Sequence, residues 1–299
     1  MSLAFLFPHE PLARQRLIPA HHPGQASYVW DVKTGDREAI VRTNRFDTPP
    51  DEDFWQGSLR LFEANTTQVD RLVGINGWLL SQGTLPVPRI WSSRHAFGHT
   101  FLVVEKLKGA VLENFDQLTV RALMNFGRHL ATLHQHRFPC FGSPAAWKDS
   151  RRGTPLSQFG PRLGATLRFL HGRYHVRDAV ASTYLQQALS DLHAWPHLCA
   201  APMLLDMDAS QFLHQNGEIS GLIDTELYVA GPPEMELTGL EFLLSPHAAA
   251  WVRRGYEEVS PMPSLTRVRR VFRILLRMLS FQGPVPWDEW MDAPHRFTS

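Results

Sequence analysis

Apolar and polar positions follow two rhythms along this chain, and the rhythm changes near residue 105. Before that point, residues 27–32 and 38–42 are short β-rich runs joined by Thr34-Gly35-Asp36. Glycine supplies the positive φ of a tight turn, so the pattern predicts a hairpin. Thr48-Pro49-Pro50-Asp51 reads as a loop. Across residues 67–82, apolar side chains recur at Val69, Leu72, Val73, Ile75, Leu79 and Leu80, which predicts a helix in spite of Gly74 and Gly77. Leu85-Pro86-Val87-Pro88 is extended, because a residue before proline is held out of the α region. Residues 100–107 are the continuous apolar run of a central strand. After Lys108-Gly109 the helical spacing takes over, with helices expected over 119–136, 163–174, 177–193 and 266–279. One β interval interrupts them: residues 211–214 and 219–223 flank an Asn216-Gly217 turn. The expectation is an α+β fold of two lobes, β-rich over 1–104 and mainly helical over 105–299, with a ligand cleft between them.

Composition narrows the function classes. At 299 residues, 43% hydrophobic and 20% charged, the chain has the balance of a soluble globular protein. Thirty Lys and Arg against 29 Asp and Glu leave a net charge of +1, so no global field favours nucleic acid or an anionic membrane as a partner. Cys140 and Cys199 are too few for a disulfide scaffold or a cysteine-rich zinc site, and free thiols in a reducing compartment are expected. The first residues carry no basic region and Pro8 cuts their apolar run, unlike a signal peptide. No stretch approaches the ~18 apolar residues of a membrane helix. A cytoplasmic location is expected, and the oligomeric state stays open.

The chemistry concentrates between Leu204 and Leu237. Asp206 and Asp208 precede the second hairpin, and Asp224 follows it at the end of an apolar strand. Carboxylates among apolar residues are costly unless they meet a cation or hydrogen-bond donors. A tight hairpin returns the second acid to the first, an arrangement that magnesium–phosphate chemistry uses. On spacing alone, capping of a turn and a loop by these acids is an equal reading. His129, His134 and His136 lack an i, i+4 pairing with one another and, like His21-His22, read as surface or packing residues. Arg267, Arg269, Arg270, Arg273 and Arg277 share a helix whose Val268, Val271, Ile274, Leu275 and Leu279 point inward, and read as a solvated basic face, with anion binding the minority view.

The stretch Ile223-Asp224-Thr225-Glu226-Leu227-Tyr228-Val229-Ala230-Gly231-Pro232-Pro233-Glu234-Met235-Glu236-Leu237 resembles, without a gap, the IDWEDAGIGDPAYDL signature of the aminoglycoside phosphotransferase/choline kinase-like family. Leu204-Leu205-Asp206-Met207-Asp208-Ala209-Ser210-Gln211-Phe212-Leu213 stands where that family has HGDLHPGNVL. Other segments follow in the family's order: residues 24–30 for its phosphate loop, Ala39-Ile40-Val41-Arg42 for the strand bearing its phosphate-contacting cation, Leu85-Pro86-Val87-Pro88-Arg89, residues 101–107 for the hinge strand, Leu130-Ala131-Thr132-Leu133-His134, and residues 251–258. The resemblance implies a protein-kinase-like fold with ATP and magnesium between the lobes and a small-molecule hydroxyl as acceptor. It implies that Asp206 is the catalytic base and that Asp224 and residue 211 hold magnesium. Arg42 and Ser27 would meet phosphates, and the main chain of Glu105 and Leu107 the adenine. An acid of the 67–82 helix would pair with Arg42; Asp70 is the only one there, with Glu63 as fallback.

The departures from the pattern are equally specific. The family's His-Gly is Leu204-Leu205, its metal-binding Asn is Gln211, its Trp is Thr225, and its Asp-Pro is Pro232-Pro233. Asp208 replaces its second His, either as a stand-in metal ligand or as a solvated loop acid. The helical lobe has no acidic run of the kind a polycationic acceptor needs. Two functions follow: an ATP- and magnesium-dependent phosphotransferase, or a pseudokinase that binds a nucleotide or a protein without turnover. The retained carboxylate pair favours the first.

Overall fold

The computed structural model describes residues 2–20, 25–35, 37–195 and 199–298, so Asp36, His21, His22 and Gly24 lie outside the described residues. Strands β1 (Leu12–Ile18), β2 (Ser27–Thr34) and β3 (Arg37–Asn44) lead to helices α1 (Asp53–Phe62) and α2 (Arg71–Gln82), then to β4 (Ile90–Ala96) and β5 (His99–Glu105). The five strands form one antiparallel sheet in the order β1-β2-β3-β5-β4. Its two faces are set by the strand period of two. On the outer face Val32, Ala39, Val41, Phe101 and Val103 pack under the N-terminal residues Leu3, Phe5, Leu6 and Phe7. On the inner face Ile40, Leu102 and Val104 pack on Val69 and on Leu72 of α2. Arg42 lies two residues beyond Ile40 and opposite Val29, so it shares the inner face with Ser27 and Asp31. The predicted hairpin is present. The loop predicted at 48–51 ends in a helix that the pattern did not announce, α1, whose buried Trp55, Leu61 and Phe62 join the main core.

Beyond Glu105 a short β6 (Ala110–Val111) precedes α3 (Val120–His134), β7 (Cys140–Phe141), α4 (Ala145–Lys148), β8 (Thr154–Pro155), α5 (Phe159–Leu170) and α6 (Ala179–Asp191). Then follow β9 (Ala201–Leu204), β10 (Phe212–Gln215), β11 (Glu218–Leu222), β12 (Tyr228–Gly231), α7 (Pro233–Leu243), α8 (Pro246–Glu257), α9 (Arg269–Met278) and α10 (Trp287–Met291). The Asn216-Gly217 turn joins β10 to β11, and both residues have positive φ, 52° and 75°, as a tight hairpin turn requires. Helices α3 and α8 cross backbone to backbone. A Cβ on Gly127 would lie 2.0 Å from the Val252 carbonyl oxygen, and one on Gly255 2.0 Å from that of Met124. Both Cys140 and Cys199 are free thiols, raised in pKa above all by burial.

The solvated basic face expected along residues 267–277 holds for the exposed Arg267 and Arg270 and is corrected for Arg269 and Arg273. Arg269 and Arg273 are buried and both reach one Glu241 oxygen at 3.0 Å from α7. Other N–H groups of the pair hold the C-terminal segment: Arg273 donates to the carbonyls of Met291 and Ala293, and Arg269 to that of Phe297. The other Glu241 oxygen accepts from the Arg296 and Phe297 amides at 2.9 and 3.1 Å. Helical spacing cannot distinguish an arginine facing water from one facing a buried acid on another helix. Glu241→Ala strands two buried guanidinium groups and is expected to cost about 3–5 kcal/mol of stability, read as a fall in the urea midpoint. A change below 1 kcal/mol would show that the cluster is not desolvated.

Candidate active site

The site forms where two chain reversals meet. Strand β9 pairs with β12, which places Leu204 opposite Tyr228, and the Leu205 amide donates to the Leu227 carbonyl at 3.2 Å. The loop after β9 and the loop before β12 are thereby held side by side. The β10–β11 hairpin closes the third side, and the Ile223 amide donates to the Gln211 carbonyl at 2.8 Å. Asp206, Gln211 and Asp224, on the two sides of the β10–β11 hairpin, converge as the hairpin argument anticipated. Asp208 sits beside them and is spent locally: Oδ1 accepts from the Ser210 amide and hydroxyl at 2.9 and 2.6 Å, so it caps the short turn before β10.

Two oxygens at this junction are buried and have no hydrogen-bond partner, Asp206 Oδ1 and Gln211 Oε1. Gln211 turns its Nε2 to the Asp206 carbonyl at 2.5 Å. Burial first, and the neighbouring Asp224 charge second, push the Asp206 carboxyl well above the usual carboxylate range. The Asp224 side chain is 44% exposed and lies 3.4 Å from Arg42 Nη2. Two carboxylates and an amide oxygen with unmet acceptors suit a hard cation. Among the described residues no cluster of three or more His, Cys, Asp or Glu forms a self-contained metal cage.

Arg42 enters from the inner face of the sheet. Its Nη1 donates to the Ile223 carbonyl at 3.4 Å and its Nη2 forms an ion pair with Glu226. Glu226 also accepts from Ser27 Oγ at 2.7 Å. Ser27 is thus buried as the first residue of β2 and reaches across to the Asp224 loop. The acid expected to pair with Arg42 is neither of those named from the sequence. Asp70 is exposed at the start of α2, where Arg71 feels its charge, and Glu63 pairs with Arg162 at 2.9 Å. Helix α2 itself contains no acidic residue. Its polar contribution is Asn76, which donates to the Pro88 carbonyl at 2.8 Å and accepts from the Thr225 hydroxyl, tying α2 to the Asp224 loop.

Of the residues expected at the hinge, Glu105 ends β5 and Leu107 lies just beyond it. The Glu105 amide donates to the Arg89 carbonyl at 2.8 Å, and its side chain accepts from the Arg89 amide at 3.1 Å. Leu107 is half-buried against β11, where a Cβ on Gly221 would come within 2.5 Å of its Cδ1. Beneath the site lies a buried support that the sequence did not reveal. Glu236 accepts from the Leu204 amide and from His134 Nε2, both at 2.7 Å, and His134 Nδ1 meets the Tyr256 hydroxyl at 3.1 Å. His129 is buried between Thr84 and Tyr228, and burial drives its pKa down to about 3, so it packs neutral. The acid at 236 stands in the matched signature, but only the fold shows which backbone amide it holds.

The sequence model of the phosphotransferase enzyme family matches residues 18–259. The chain belongs to that family. Solved structures agree on a two-lobed protein-kinase-like fold. The macrolide 2'-phosphotransferase MphH of Brachybacterium faecium superposes with a TM-score of 0.61 at 13% identity, over 98% of this chain and 97% of its own. A protein of Haemophilus somnus 129PT assigned as a fructosamine-3-kinase gives 0.61 at 13%, over 97% and 92%. A thermostable mutant of aminoglycoside phosphotransferase APH(4)-Ia, in ternary complex with AMP-PNP and hygromycin B, gives 0.58 at 15%, over 93% and 90%. No sequence among curated proteins matches the chain. Among the described residues no helix of this family member is long and apolar enough to cross a membrane.

Proposed function

We propose that this protein transfers a phosphoryl group from ATP, with magnesium, to a hydroxyl of a small molecule, in a cleft between lobes spanning residues 1–104 and 105–299. One observation carries the reading: Asp206 and Asp224 converge with Gln211, leaving buried acceptors unfilled. Asp206 takes the proton of the acceptor hydroxyl and aims its oxygen. Asp224 and the Gln211 amide oxygen hold the cation, which neutralises phosphate charge when bound. Arg42 holds the phosphates, Ser27 stands at their edge, and the main chain of Glu105 and Leu107 receives the base. The AMP-PNP complex of the APH(4)-Ia neighbour supports nucleotide use. The macrolide and aminoglycoside named for the neighbours support a small organic acceptor.

Calorimetric titration with ATP, with and without magnesium, tests the first half, and turnover against a panel of hydroxyl metabolites the second. Binding that strengthens with magnesium is expected, and no binding in either condition refutes the reading. The pseudokinase alternative draws on the engagement of Arg42 with both Asp224 and Glu226. Magnesium-dependent binding with no turnover on any acceptor would favour it.

Gln211 adds a separate expectation. Its longer side chain clamps the Asp206 carbonyl, and bringing its oxygen to a cation costs rotamer freedom. Gln211→Asn is expected to raise magnesium-dependent ATP affinity by up to about tenfold. Side-by-side titrations with magnesium and manganese check it; an unchanged magnesium dependence would remove residue 211 from the metal's surroundings.

A further inference from the structure

Arg42 presents an electrostatic problem that helix α2 does not solve. A guanidinium stays charged at any working pH, and burying one without a counter-ion is prohibitive. Arg42 is buried, and the carboxylates of Glu226 and Asp224 both reach its Nη2. The two acids are not equivalent. Asp224 is 44% exposed and touches Nη2 at 3.4 Å, whereas Glu226 is 11% exposed and bonds both Nη2 and the Ser27 hydroxyl. Glu226 is therefore clamped between two strands of the sheet, and Asp224 remains at the cleft surface. Arg42 Nε is buried and has no hydrogen-bond partner in the protein.

We propose that Glu226 is the positioning residue of Arg42. It is a fixed counter-ion from the loop after Asp224 that holds the guanidinium on the inner face of β3, where it is proposed to meet the phosphates. The proposal rests on the phosphate role given to Arg42 above. It divides two duties that lie two residues apart: Asp224 serves the cation, and Glu226 serves the cation's neighbour, Arg42. A direct consequence is that this loop, and not α2, supplies the counter-ion of Arg42. The opposite role for the same contact, a carboxylate that occupies the phosphate position and must leave, predicts the opposite sign of effect.

The test uses the full chain with magnesium and the analogue AMP-PNP. Glu226→Gln is expected to weaken binding about tenfold, Arg42→Met by a similar factor, and the double variant no more than either alone. Tighter binding by Glu226→Gln, or losses that multiply in the double variant, would overturn the proposal. Thermal unfolding without nucleotide gives an independent reading. Arg42→Met leaves Glu226 buried and unpaired and lowers Tm, and adding Glu226→Gln is expected to restore part of the loss. No restoration means that the pair is not the anchor. Should Glu226→Gln not fold, Ser27→Ala, which frees one bond of Glu226, is expected to weaken binding about twofold to fivefold, and unchanged affinity would count against the proposal. A wild type that binds no nucleotide refutes the kinase reading and the positioning role with it, while restored Tm would still stand as a measure of the ion pair.

Discussion

Asp206→Asn is expected to lower phosphotransfer by about three powers of ten while ATP still binds. General-base catalysis contributes typically ~10²–10⁴-fold, and orienting the attacking hydroxyl adds to that. Asn keeps the shape and loses the basicity. The raised pKa supplies a second expectation, of opposite sign for stability. Burial and the Asp224 charge disfavour the ionised form of Asp206 in the folded state. Its folded pKa therefore lies above the unfolded value of about 3.9, and the wild type loses stability as pH rises from there through the folded pKa. Without metal at neutral pH, Asp206→Asn should thus be more stable than wild type, and the difference should vanish as pH falls towards 4. A variant that is slower but not more stable would show that Asp206 is not strained by its surroundings. A variant that turns over normally would remove it from the reaction.

Asp224→Asn is expected to abolish the magnesium-dependent part of ATP affinity. Its carboxylate is the exposed member of the pair, within reach of a cation from the cleft, and magnesium is bound through one or two carboxylates together with substrate phosphates. Loss of all magnesium dependence, with residual weak nucleotide binding, is the outcome to measure by titration with and without the metal. Asp206→Asn should leave that dependence largely in place. Equal losses of binding from both substitutions would sink the division of labour, because one acid would then not be serving the nucleophile and the other the metal.

The elements legible in the sequence were those with local causes. The β2–β3 hairpin, the β10–β11 hairpin with its positive-φ Asn216-Gly217, and the long amphipathic α3 follow from turn chemistry and periodicity. Helix α1 escaped because it is short and follows directly on the Thr48-Pro49-Pro50-Asp51 loop signal, although Phe54, Trp55, Leu59, Leu61 and Phe62 give it an apolar face. The acidic loops bearing Asp206 and Asp224 were recognisable by type and by family order. Their convergence was inferred from the tightness of the hairpin between them.

Charge pairing was where sequence reasoning stopped. The helix beside Arg42 offers only Asp70, at its N-cap and exposed to water. The actual partner, Glu226, is 184 residues away along the chain, brought there by the loop between β11 and β12. The arginines of α9 show the same limit, since Glu241 sits on another helix and makes buried groups of residues that read as a surface face. Secondary structure and the identity of the chemical groups are written locally, because turn sterics and hydrophobic periodicity act over a few residues. Which acid neutralises which base depends on desolvation and on distances across packed elements, and only the tertiary structure decides those.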